Sequence, residues 1–517
     1  MLFLWLEVKS FKLLIMKEKI AMNMNPLVQF LKKMPCEFTK ADIVKYIEEK
    51  GIQMVNFRYV AQDGRLKTLN FTVTNREYLE QILSAGERLD GSNIFPAFIH
   101  AGSSDLYVVP RFNTAFIDPF SEIPTLCFLC SYFNKDGQPM ENAPENILRK
   151  ALKAFEKTTG MVFHAMGELE YYVIGDEEEL YLTENQRGYH ESMPFAKFEQ
   201  FRTECMLLIA QIGGLTKYGH SEVGNFTLNG KIYEQNEIEF LVTDAIDAAD
   251  QLVLAKWVIR NLAYQYGLNV TFAPKITEGK AGSGLHFHTQ ILSKTGVNKM
   301  VDKGKLNSIA KTAIAGYMTC ASSLTAFGNT NPTSYFRLVP HQEAPTTICW
   351  GDRNRSVLVR VPLGWMHKND MIADINPLEK PQRDNLTQKQ TVEFRCPDGS
   401  ADIYLLLAGL VVAARHGFEM ENALKFAEKT YVNVNIHKPE EKERLMSLKQ
   451  LPASCWDSAE ELTKNRAIYE KHGVFPAEMI DDIIKHLKSF NDKNIREEIK
   501  KDPKKMLELV NKYFHCG

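Results

Sequence analysis

The stretch GHSEVGNFTLNGKIYEQNEIEF, from Gly219 to Phe240, decides how the rest of the chain is interpreted. Asn229-Gly230 stands between two strand-like runs, and this dipeptide favours a hairpin with a two-residue type I′ turn. With the turn there, Glu222 faces Glu237 across the hairpin. Directly opposed carboxylates repel each other. The pattern therefore predicts either a cation held between them or a polar hairpin with both groups in water.

The length and composition of the chain bound its class. A chain of 517 residues is too long for one hydrophobic core, which predicts two domains or more. Apolar residues make up 44% and charged residues 24%, as is typical of a globular protein. The 62 Lys and Arg residues nearly balance the 64 Asp and Glu residues. The composition therefore predicts neither a nucleic-acid partner nor a membrane partner.

The cysteines and the first residues bear on where the protein works. Of nine cysteines, Cys127 and Cys130 form a C-x-x-C, but they lie in an apolar run that predicts a buried strand. A zinc site needs a second such pair, so we interpret the cysteines as reduced, in a cytoplasmic protein. Residues 1–24 are apolar but interrupted by Glu7 and Lys9. This is too broken for a membrane span or a signal peptide, and we interpret it as a dispensable N-terminal extension.

Helix and strand patterns are interspersed without strict alternation, which favours an α+β fold over a doubly wound sheet. Residues 25–140 are expected to form a small domain, and residues 141–517 a larger one with a helical C-terminus. The main predicted helices are Arg76–Glu87, Pro144–Thr159, Asp244–Tyr266, Leu306–Phe327 and Ala401–Phe418, and the main predicted strands are Thr125–Phe133, Val162–Ile174, Leu285–Leu292, Thr347–Trp350, Ser356–Val361 and Thr391–Arg395.

Functional side chains recur at a spacing of two within the predicted strands, which places both members of a pair on one face. The pairs are Glu168 with Glu170, His220 with Glu222, Glu237 with Glu239, His286 with His288, and Glu393 with Arg395. Each pair alone fits the wet face of an antiparallel strand. Together, many carboxylates with a few imidazoles suit a hard divalent ion such as Mg²⁺ or Mn²⁺ rather than structural zinc.

A cationic cluster follows further along the chain. Arg337, Arg353, Arg355 and Arg360 fall within a short interval, with Glu343 between them. One interpretation is a surface network of salt bridges. The other is recognition of carboxylate and phosphate, which arginine binds with two parallel hydrogen bonds. Carboxylate-bound metals beside arginines are the groups that phosphoryl transfer needs, and the chain has no P-loop motif.

The sequence with these pairs and arginines resembles glutamine synthetase of the bacterial and archaeal type. The resemblance covers roughly residues 85 to 418, in the family's order. The matching segments are DGS at Asp90–Ser92, E-x-E at Glu168–Glu170, SEV from Ser221 with QNE from Gln235, GSG-x-H-x-H at Gly282–His288, NPT from Asn331, RLVP from Arg337, EAP from Glu343, RNRS from Arg353 with R-x-P from Arg360, and E-x-R-x-PD at Glu393–Asp398.

The resemblance implies a fold and a metal centre. The small domain would be β-grasp-like, and the catalytic domain an antiparallel sheet flanked by helices. One Mg²⁺ or Mn²⁺ would be held by Glu170, Glu222 and Glu237. A second would be held by Glu168, His286 and Glu393. His288, with Arg355, would lie near the nucleotide phosphates.

The resemblance also implies the substrate contacts. Arg337, Arg355, Arg360 and Arg395 would bind the glutamate carboxylate and the transferring phosphate, and Gly282 would contact substrate through its backbone. Glu343 would be the flap residue that closes over the site. Asp90 would bind ammonium and accept its proton, near Tyr189 and Glu222. In the family Asp90 comes from a neighbouring subunit, so the sites would lie between subunits of stacked hexameric rings.

The implied activity is ligation of ammonia to the side-chain carboxylate of L-glutamate, with ATP, through γ-glutamyl phosphate. Two departures from the family pattern matter. Asn93 stands where a second Ser is usual beside the ammonium pocket, which keeps a ligase for another amine as an alternative. Residues 363–390 form an insertion. A third interpretation, a non-catalytic assembly protein on the same fold, would require lost metal ligands or arginines, and none is missing.

Overall fold

The computed structural model describes residues 18, 20–96, 99, 104–339, 344–364, 370–380, 386–434, 447–502 and 504–517. The architecture is α+β, with two principal sheets and helices packed against them. Glu343, most of the predicted N-terminal extension and parts of the insertion 363–390 lie outside the described residues.

The strands are β1 Met54–Val60, β2 Leu66–Thr72, β3 Glu87–Asp90, β4 Asp105–Pro110, β5 Phe116–Ile117, β6 Thr125–Phe133, β7 Val162–Asp176, β8 Thr216–Leu228, β9 Lys231–Phe240, β10 Thr243–Asp244, β11 Asn269–Thr271, β12 Leu285–Leu292, β13 Val301–Asp302, β14 Lys305–Leu306, β15 Trp350–Asp352, β16 Val359–Val361 and β17 Val392–Phe394. The helices are α1 Pro26–Leu31, α2 Lys40–Lys50, α3 Arg76–Ala85, α4 Pro144–Thr159, α5 Glu199–Gln211, α6 Ala245–Gln265, α7 Ser308–Gly328, α8 Ser334–Arg337, α9 Met371–Ile375, α10 Ile403–Glu419, α11 Ala423–Thr430, α12 Cys455–Glu470, α13 Ala477–Ser489, α14 Ile495–Lys501 and α15 Lys504–Tyr513.

The small sheet has the strand order β2-β1-β6-β4-β3, with β5 beside β6. Strands β1 and β6 are parallel and the other pairs antiparallel. Helix α3 ends at Gly86, whose φ of +72° breaks the helix, so the prediction that it continues to Glu87 is wrong. Glu87 instead begins β3, the strand that leads to Asp90. Cys127 and Cys130 are buried free thiols in β6, as predicted.

The large sheet has the strand order β15-β16-β17-β12-β7-β9-β8. Its central strands β17, β12, β7 and β9 are mutually antiparallel. The predicted strands Thr347–Trp350 and Ser356–Val361 begin later, as β15 and β16, and these two strands are parallel. Strand β15 runs past the predicted end to Asp352, whereas β16 ends at Val361 as predicted.

The hairpin of β8 and β9 turns where the sequence predicts. Asn229 and Gly230 have φ of +52° and +71°, the left-handed pair that a type I′ turn requires. Leu228 faces Lys231, as expected. The predicted register fails further out, because β8 carries a bulge between Ser221 and Asn225.

The core of the catalytic domain lies between the large sheet and three long helices. Helix α10 is apolar on nearly every face and packs between α4 and α7. A Cβ on Gly417 of α10 would lie 2.1 Å from the Thr312 carbonyl oxygen of α7, so glycine is what lets these two backbones touch. Among the described helices, none is by itself long and apolar enough to cross a membrane. The successive helices α10 and α11 pass such a test only jointly, with a bend of 116° between them.

Buried ion pairs join the small sheet to the catalytic domain. Arg111, at the end of β4, binds both carboxylate oxygens of Asp250 of α6, at 2.6 and 2.9 Å. Arg58 of β1 lies over the ring of Trp257, also in α6, at 4.3 Å. Arginine suits both contacts, because its planar guanidinium bonds a carboxylate through two N–H groups and stacks on an aromatic face.

Candidate active site

Neighbouring strands bring the predicted metal-binding side chains to one face of the large sheet. On β7, Glu168 faces His286 of β12 on one side and Glu239 of β9 on the other. Two residues further, Glu170 faces Glu237 of β9. Residues at i and i+2 of a strand share a face, and these side chains all line one cavity of about 890 Å³.

Two histidines hold Glu168 between them. His288 Nε2 lies 2.7 Å from one oxygen of Glu168, and His286 Nδ1 lies 3.0 Å from the other. His288 Nδ1 is 2.8 Å from the hydroxyl oxygen of Thr391, and His288 faces Glu393 across β12 and β17. These contacts fix the orientation of both rings, which is what a metal-binding imidazole requires.

Three sets of nitrogen and oxygen atoms lie within 4.8 Å of one another, close to the roughly 4 Å that separates ligands of one small cation. The sets are Glu168, Glu237 and His286; Glu168, His288 and Glu393; and His220, Glu222 and Glu237. The geometry thus gathers the predicted ligands but divides them differently, with His220 and His288 included. Glu170 instead accepts hydrogen bonds from Gly284 N at 2.6 Å and from Gln235 Nε2 at 3.0 Å.

Burial and mutual repulsion shift the pKa values of the carboxylates in this cluster. Burial raises the pKa of Glu237 well above its usual value, and repulsion from Glu168, Glu170 and Glu222 raises it further. Burial also raises the pKa of Glu239. At Glu168 burial acts in the same direction, but the two histidines outweigh it, so this pKa lies well below the usual value. Buried, mutually repelling carboxylates with fixed imidazoles fit Mg²⁺ or Mn²⁺.

A bulge in β8 places Glu222 in this cluster. Ser221 pairs with Asn236 and Asn225 pairs with Glu234, so three residues of β8 stand opposite the single residue Gln235. His220, not Glu222, therefore faces Glu237, and the predicted facing pair is wrong. The predicted proximity nevertheless holds, because the bulge carries the Glu222 carboxylate back beside His220 and Glu237.

Four of the predicted arginines line the same cavity. Arg337 donates to the carbonyls of Cys396 at 2.8 Å and Pro397 at 3.2 Å, and its Nη2 lies 3.2 Å from His286 Nε2. Arg360 and Arg395 both bind Glu393, at 3.1 and 3.0 Å.

Arg355 is the most exposed of these four, and its Nη2 lies 3.4 Å from the Tyr189 hydroxyl. Arg353, which the sequence grouped with the others, lines a different cavity beside Trp350 and Tyr431. Arg337, Arg355, Arg360 and Arg395 thus line the same cavity as the carboxylates and imidazoles.

Gly282 lies at the base of the cavity, where a side chain has no room. A Cβ there would lie 2.5 Å from the Pro274 carbonyl oxygen and 2.9 Å from Arg337 Cγ. Its own carbonyl oxygen accepts a hydrogen bond from Gln235 Nε2 at 3.1 Å. Gly282 therefore presents backbone, not side chain, to whatever occupies the cavity.

Asp90 lies apart from these residues, on the small sheet. It is exposed and is not among the described residues that line the cavity. Its carboxylate accepts hydrogen bonds from Ser92 N at 2.9 Å, Ser92 Oγ at 2.7 Å and Asn93 Nδ2 at 2.7 Å. The hydrogen bond from the Ser92 hydroxyl is the main reason that the pKa of Asp90 lies below its usual value.

The structure adds residues that the sequence did not assign to a role. Lys217 Nζ lies 2.7 Å from Glu239, and the Tyr218 hydroxyl donates to the same carboxylate. Both line the cavity with His220. The spacing of two between His220 and Glu222 was a usable signal for His220. Nothing in the local pattern indicated Gln235, whose role depends on the bulge opposite it.

Comparison with known proteins identifies the family. The model of the glutamine synthetase catalytic domain matches residues 141–505, and that of the glutamine synthetase β-grasp domain matches residues 51–135. The chain belongs to the glutamine synthetase family. This agrees with the resemblance inferred from the sequence and with the α+β fold that it implied.

Several relatives of the family span most of the chain. Glutamine synthetase of Clostridium saccharobutylicum is 30% identical over 438 residues, covering 83% of this chain and 90% of its own. That of Pyrococcus furiosus is 30% identical over 480 residues, covering 90% and 97%. The solved structures of apo GmaS and of Plasmodium falciparum glutamine synthetase each superpose with a TM-score of 0.71 at 19% identity, covering 88% and 89% of this chain and 97% of their own. At that identity, the structures support the fold.

Proposed function

We propose that this member of the glutamine synthetase family ligates ammonia to the side-chain carboxylate of L-glutamate, using ATP and forming γ-glutamyl phosphate on the way. The observation that carries the proposal is the single cavity in which a buried cluster of Glu and His faces four arginines. That combination serves phosphoryl transfer to a carboxylate, which needs charge neutralised on both reacting groups.

Two divalent ions fit this cluster by the chemistry of its donors. The ions would be held by Glu168, Glu170, Glu222, Glu237, His286 and Glu393, with His220 and His288 close by. Bound there, Mg²⁺ or Mn²⁺ would neutralise phosphate oxygens of ATP. Removing the ions leaves the carboxylates to repel one another, as the raised pKa of Glu237 indicates.

The first step makes the unreactive carboxylate electrophilic. A side-chain oxygen of glutamate attacks the γ-phosphorus of ATP, and the bond to the β-phosphate oxygen breaks to release ADP. Arg355 and Arg360 stabilise charge on the moving phosphoryl group, while Arg337 and Arg395 hold the substrate carboxylates. Gly282 contributes its backbone to the substrate site.

The second step forms the amide. Ammonium loses a proton to a carboxylate, for which we assign Asp90 of a neighbouring subunit, with Tyr189 and Glu222 completing the pocket. Ammonia attacks the acyl carbon and phosphate leaves with one oxygen of the original carboxylate. Glu343, by the resemblance, closes over the site so that water does not hydrolyse the intermediate. The exposure of Asp90, and its absence from the described cavity lining, support a site completed by a neighbouring subunit, as in the stacked hexameric rings that the resemblance implies.

A second candidate is ligation of another small amine to glutamate. The observation that favours it is the hydrogen bond from Asn93 Nδ2 to Asp90 at 2.7 Å. With Ser92 also donating twice, the Asp90 oxygens are already occupied by neutral donors. Such a carboxylate is a weaker base and leaves less room for ammonium, which would suit an amine bound mainly by other residues.

The test is amide formation from ATP, Mg²⁺ and glutamate with ammonium, methylamine, ethylamine and putrescine, each product identified by mass. Glutamine as the favoured product, with one phosphate released per amide, is the expected result. A substituted amide as the favoured product would establish the second candidate instead. No amide from any amine, in assembled and metal-loaded protein, would contradict both and favour a non-catalytic assembly protein.

A further inference from the structure

The loop that carries Tyr189 is bound along the outer edge of β8, the last strand of the large sheet. Three backbone N–H groups of the loop, at alternate residues, donate to three carbonyls of β8. The pairs are Gln186 with Asn225 at 2.9 Å, Gly188 with Val223 at 3.3 Å, and His190 with Ser221 at 2.9 Å. The alternate spacing of these three bonds ties the loop to the edge of β8 across the bulge, although the loop itself is not a strand.

The Ser221 side chain also binds the loop through hydrogen bonds. Its Oγ lies 2.8 Å from the Gly188 carbonyl oxygen and 2.9 Å from that of Glu191, so its one hydroxyl proton is shared between them. Ser221 is 1% exposed. These two carbonyls flank Tyr189 and His190, which means that a single buried hydroxyl fixes both ends of the segment that carries them.

Two backbone features show how tightly the segment is held. A Cβ on Gly188 would lie 2.6 Å from the Glu222 carbonyl oxygen, so the loop touches the bulge at the residue before Tyr189. His190 has a φ of +60°, a left-handed conformation that residues with side chains adopt at a cost. Such strain persists where the surrounding contacts enforce it, and here they place the rings of Tyr189 and His190 in the lining of the cavity that Glu222 also lines.

The rings held in this way form one wall of the active-site cavity. Tyr189 and His190 stack at 4.2 Å, and His190 lies 4.2 Å from His220. Arg355 lies over the face of Tyr189 at 5.8 Å. All four side chains line the cavity together with Glu222. A protonated amine that reaches Glu222 therefore passes aromatic faces, which attract cations.

We propose that Ser221 is a positioning residue that fixes Tyr189 and His190, and that the wall these rings form sets the size of the amine that the site accepts. The proposal rests on the proposed function and deepens it. A wall held by backbone pairing and by a buried hydroxyl does not yield to an added methyl group, so larger amines are rejected sterically. A loosened wall admits them and binds ammonium less well.

The test compares wild type with Ser221→Ala and with the matched control Ser323→Ala. Ser323 is also buried, and its hydroxyl also binds a backbone carbonyl, that of Cys320 at 2.9 Å, but it lies in α7 outside the cavity. In Ser221→Ala we expect the KM for ammonium to rise about tenfold, because one to two neutral hydrogen bonds are lost. The ratio of kcat/KM for methylamine to that for ammonium rises similarly, while KM for ATP and glutamate stays within about twofold. Ser323→Ala changes only the melting temperature.

A third variant separates the contribution of the His190 ring from that of the Ser221 hydroxyl. His190→Gly keeps the left-handed backbone, because glycine adopts it freely, and removes the ring. It should change amine selectivity as Ser221→Ala does, but with the amides of residues 186–190 still protected from hydrogen exchange. Ser221→Ala should lose that protection, and β12 should keep its own in both variants.

The outcomes separate this proposal from the proposed function. Wild type that forms glutamine while Ser221→Ala keeps its ammonium KM, its selectivity and its exchange protection would overturn the positioning role alone. A rise in KM for all three substrates together would also overturn it, because the effect would then be general. Wild type that forms no amide would contradict the proposed function, and retained exchange protection in Ser221→Ala would independently show that the hydroxyl does not hold the loop.

Discussion

Glu237 lies among the other carboxylates of the candidate metal-binding cluster. It is buried, and burial raises its pKa, as do four neighbouring carboxylates, Glu168, Glu170, Glu222 and Glu239. Glu237→Gln removes one ligand and one negative charge while keeping the shape. We expect turnover to fall about a hundredfold or more, beyond what loss of an outer-shell partner costs. We also expect the metal-free variant to resist thermal unfolding better than metal-free wild type, because repulsion is relieved.

Differential scanning fluorimetry with and without Mn²⁺, together with phosphate release, measures both effects. Glu239→Gln is the matched control, since Glu239 is buried in the same cavity but belongs to none of the three metal groupings. Undiminished turnover of Glu237→Gln at saturating metal would show that Glu237 binds no essential ion.

Lys256 supplies a pH dependence that is separate from the active site. Burial, followed by the nearby Arg260, lowers the pKa of Lys256 from 10.5 to about 7 in the folded protein. Between pH 7 and 10.5 the unfolded chain therefore binds one more proton than the folded one, and stability from this group rises with pH. The destabilisation of the folded protein by burial of charged Lys256 is fully present below pH 7 and amounts to roughly 3–5 kcal/mol.

Lys256→Met should therefore be more stable than wild type at pH 7, with a difference that shrinks toward pH 10. Urea unfolding at a series of pH values measures it. A difference between the two proteins that stays constant over this range would contradict the lowered pKa. The hydrogen bond from Lys256 Nζ to the Gly399 carbonyl, at 2.7 Å, is lost in the variant and reduces the gain equally at each pH.

At the scale of elements, the bulge in β8 places Glu222 beside His220 and Glu237 in the candidate metal-binding cluster. A Cβ on Gly224, within the bulge, would lie 2.1 Å from the Tyr172 hydroxyl oxygen and 2.5 Å from Gln235 Oε1. Tyr172 cannot retreat easily, because its hydroxyl donates to the Ala281 carbonyl at 2.9 Å. Gly224→Ala should therefore displace the bulge and Glu222 with it, lowering turnover about tenfold to a hundredfold.

Isothermal titration with Mn²⁺ and steady-state turnover check this prediction. Gly137→Ala serves as the control, since a Cβ there meets nothing within 4 Å and its φ of +70° is strained for alanine. It should cost stability and leave metal affinity unchanged. Wild-type metal affinity in Gly224→Ala would mean that the bulge does not place Glu222.

The strands and helices show how much of the fold can be predicted from the sequence. Pro144–Thr159, Thr125–Phe133 and Leu285–Leu292 have the predicted bounds, because caps and periodicity are local signals. The turn at Asn229-Gly230 was equally predictable. The register beyond it was not, because β8 has a bulge there and its bulged residues contact a loop that is distant in the sequence.

The candidate site, like the fold, was only partly predictable from the sequence. A spacing of two reliably places side chains on one face, which is why the pairs beginning at Glu168, His286 and Glu393 meet in one cavity. Which ligands share an ion depends on the register between strands, which the sequence does not contain. Arg353 was grouped with its neighbours by proximity in sequence, but the turn that carries it directs it away.

At the scale of the whole molecule, we propose that the site is assembled from two subunits. Asp90 lies outside the described cavity, whereas Arg355 lines it. Asp90→Ala and Arg355→Ala should each be nearly inactive alone. Co-assembled from a mixture of denatured or co-expressed chains, they should regain up to about a quarter of wild-type turnover, because some interfaces then carry both wild-type residues. No recovery in a verified mixed assembly would contradict a shared site.

The proposed reaction activates glutamate as γ-glutamyl phosphate. Glutamate labelled with ¹⁸O in both side-chain carboxylate oxygens tests it most directly. Turnover with ATP, Mg²⁺ and ammonium should place one ¹⁸O in the released phosphate and leave the other in the amide, because the attacking oxygen leaves with phosphorus. Amide formation with phosphate free of ¹⁸O would contradict the account.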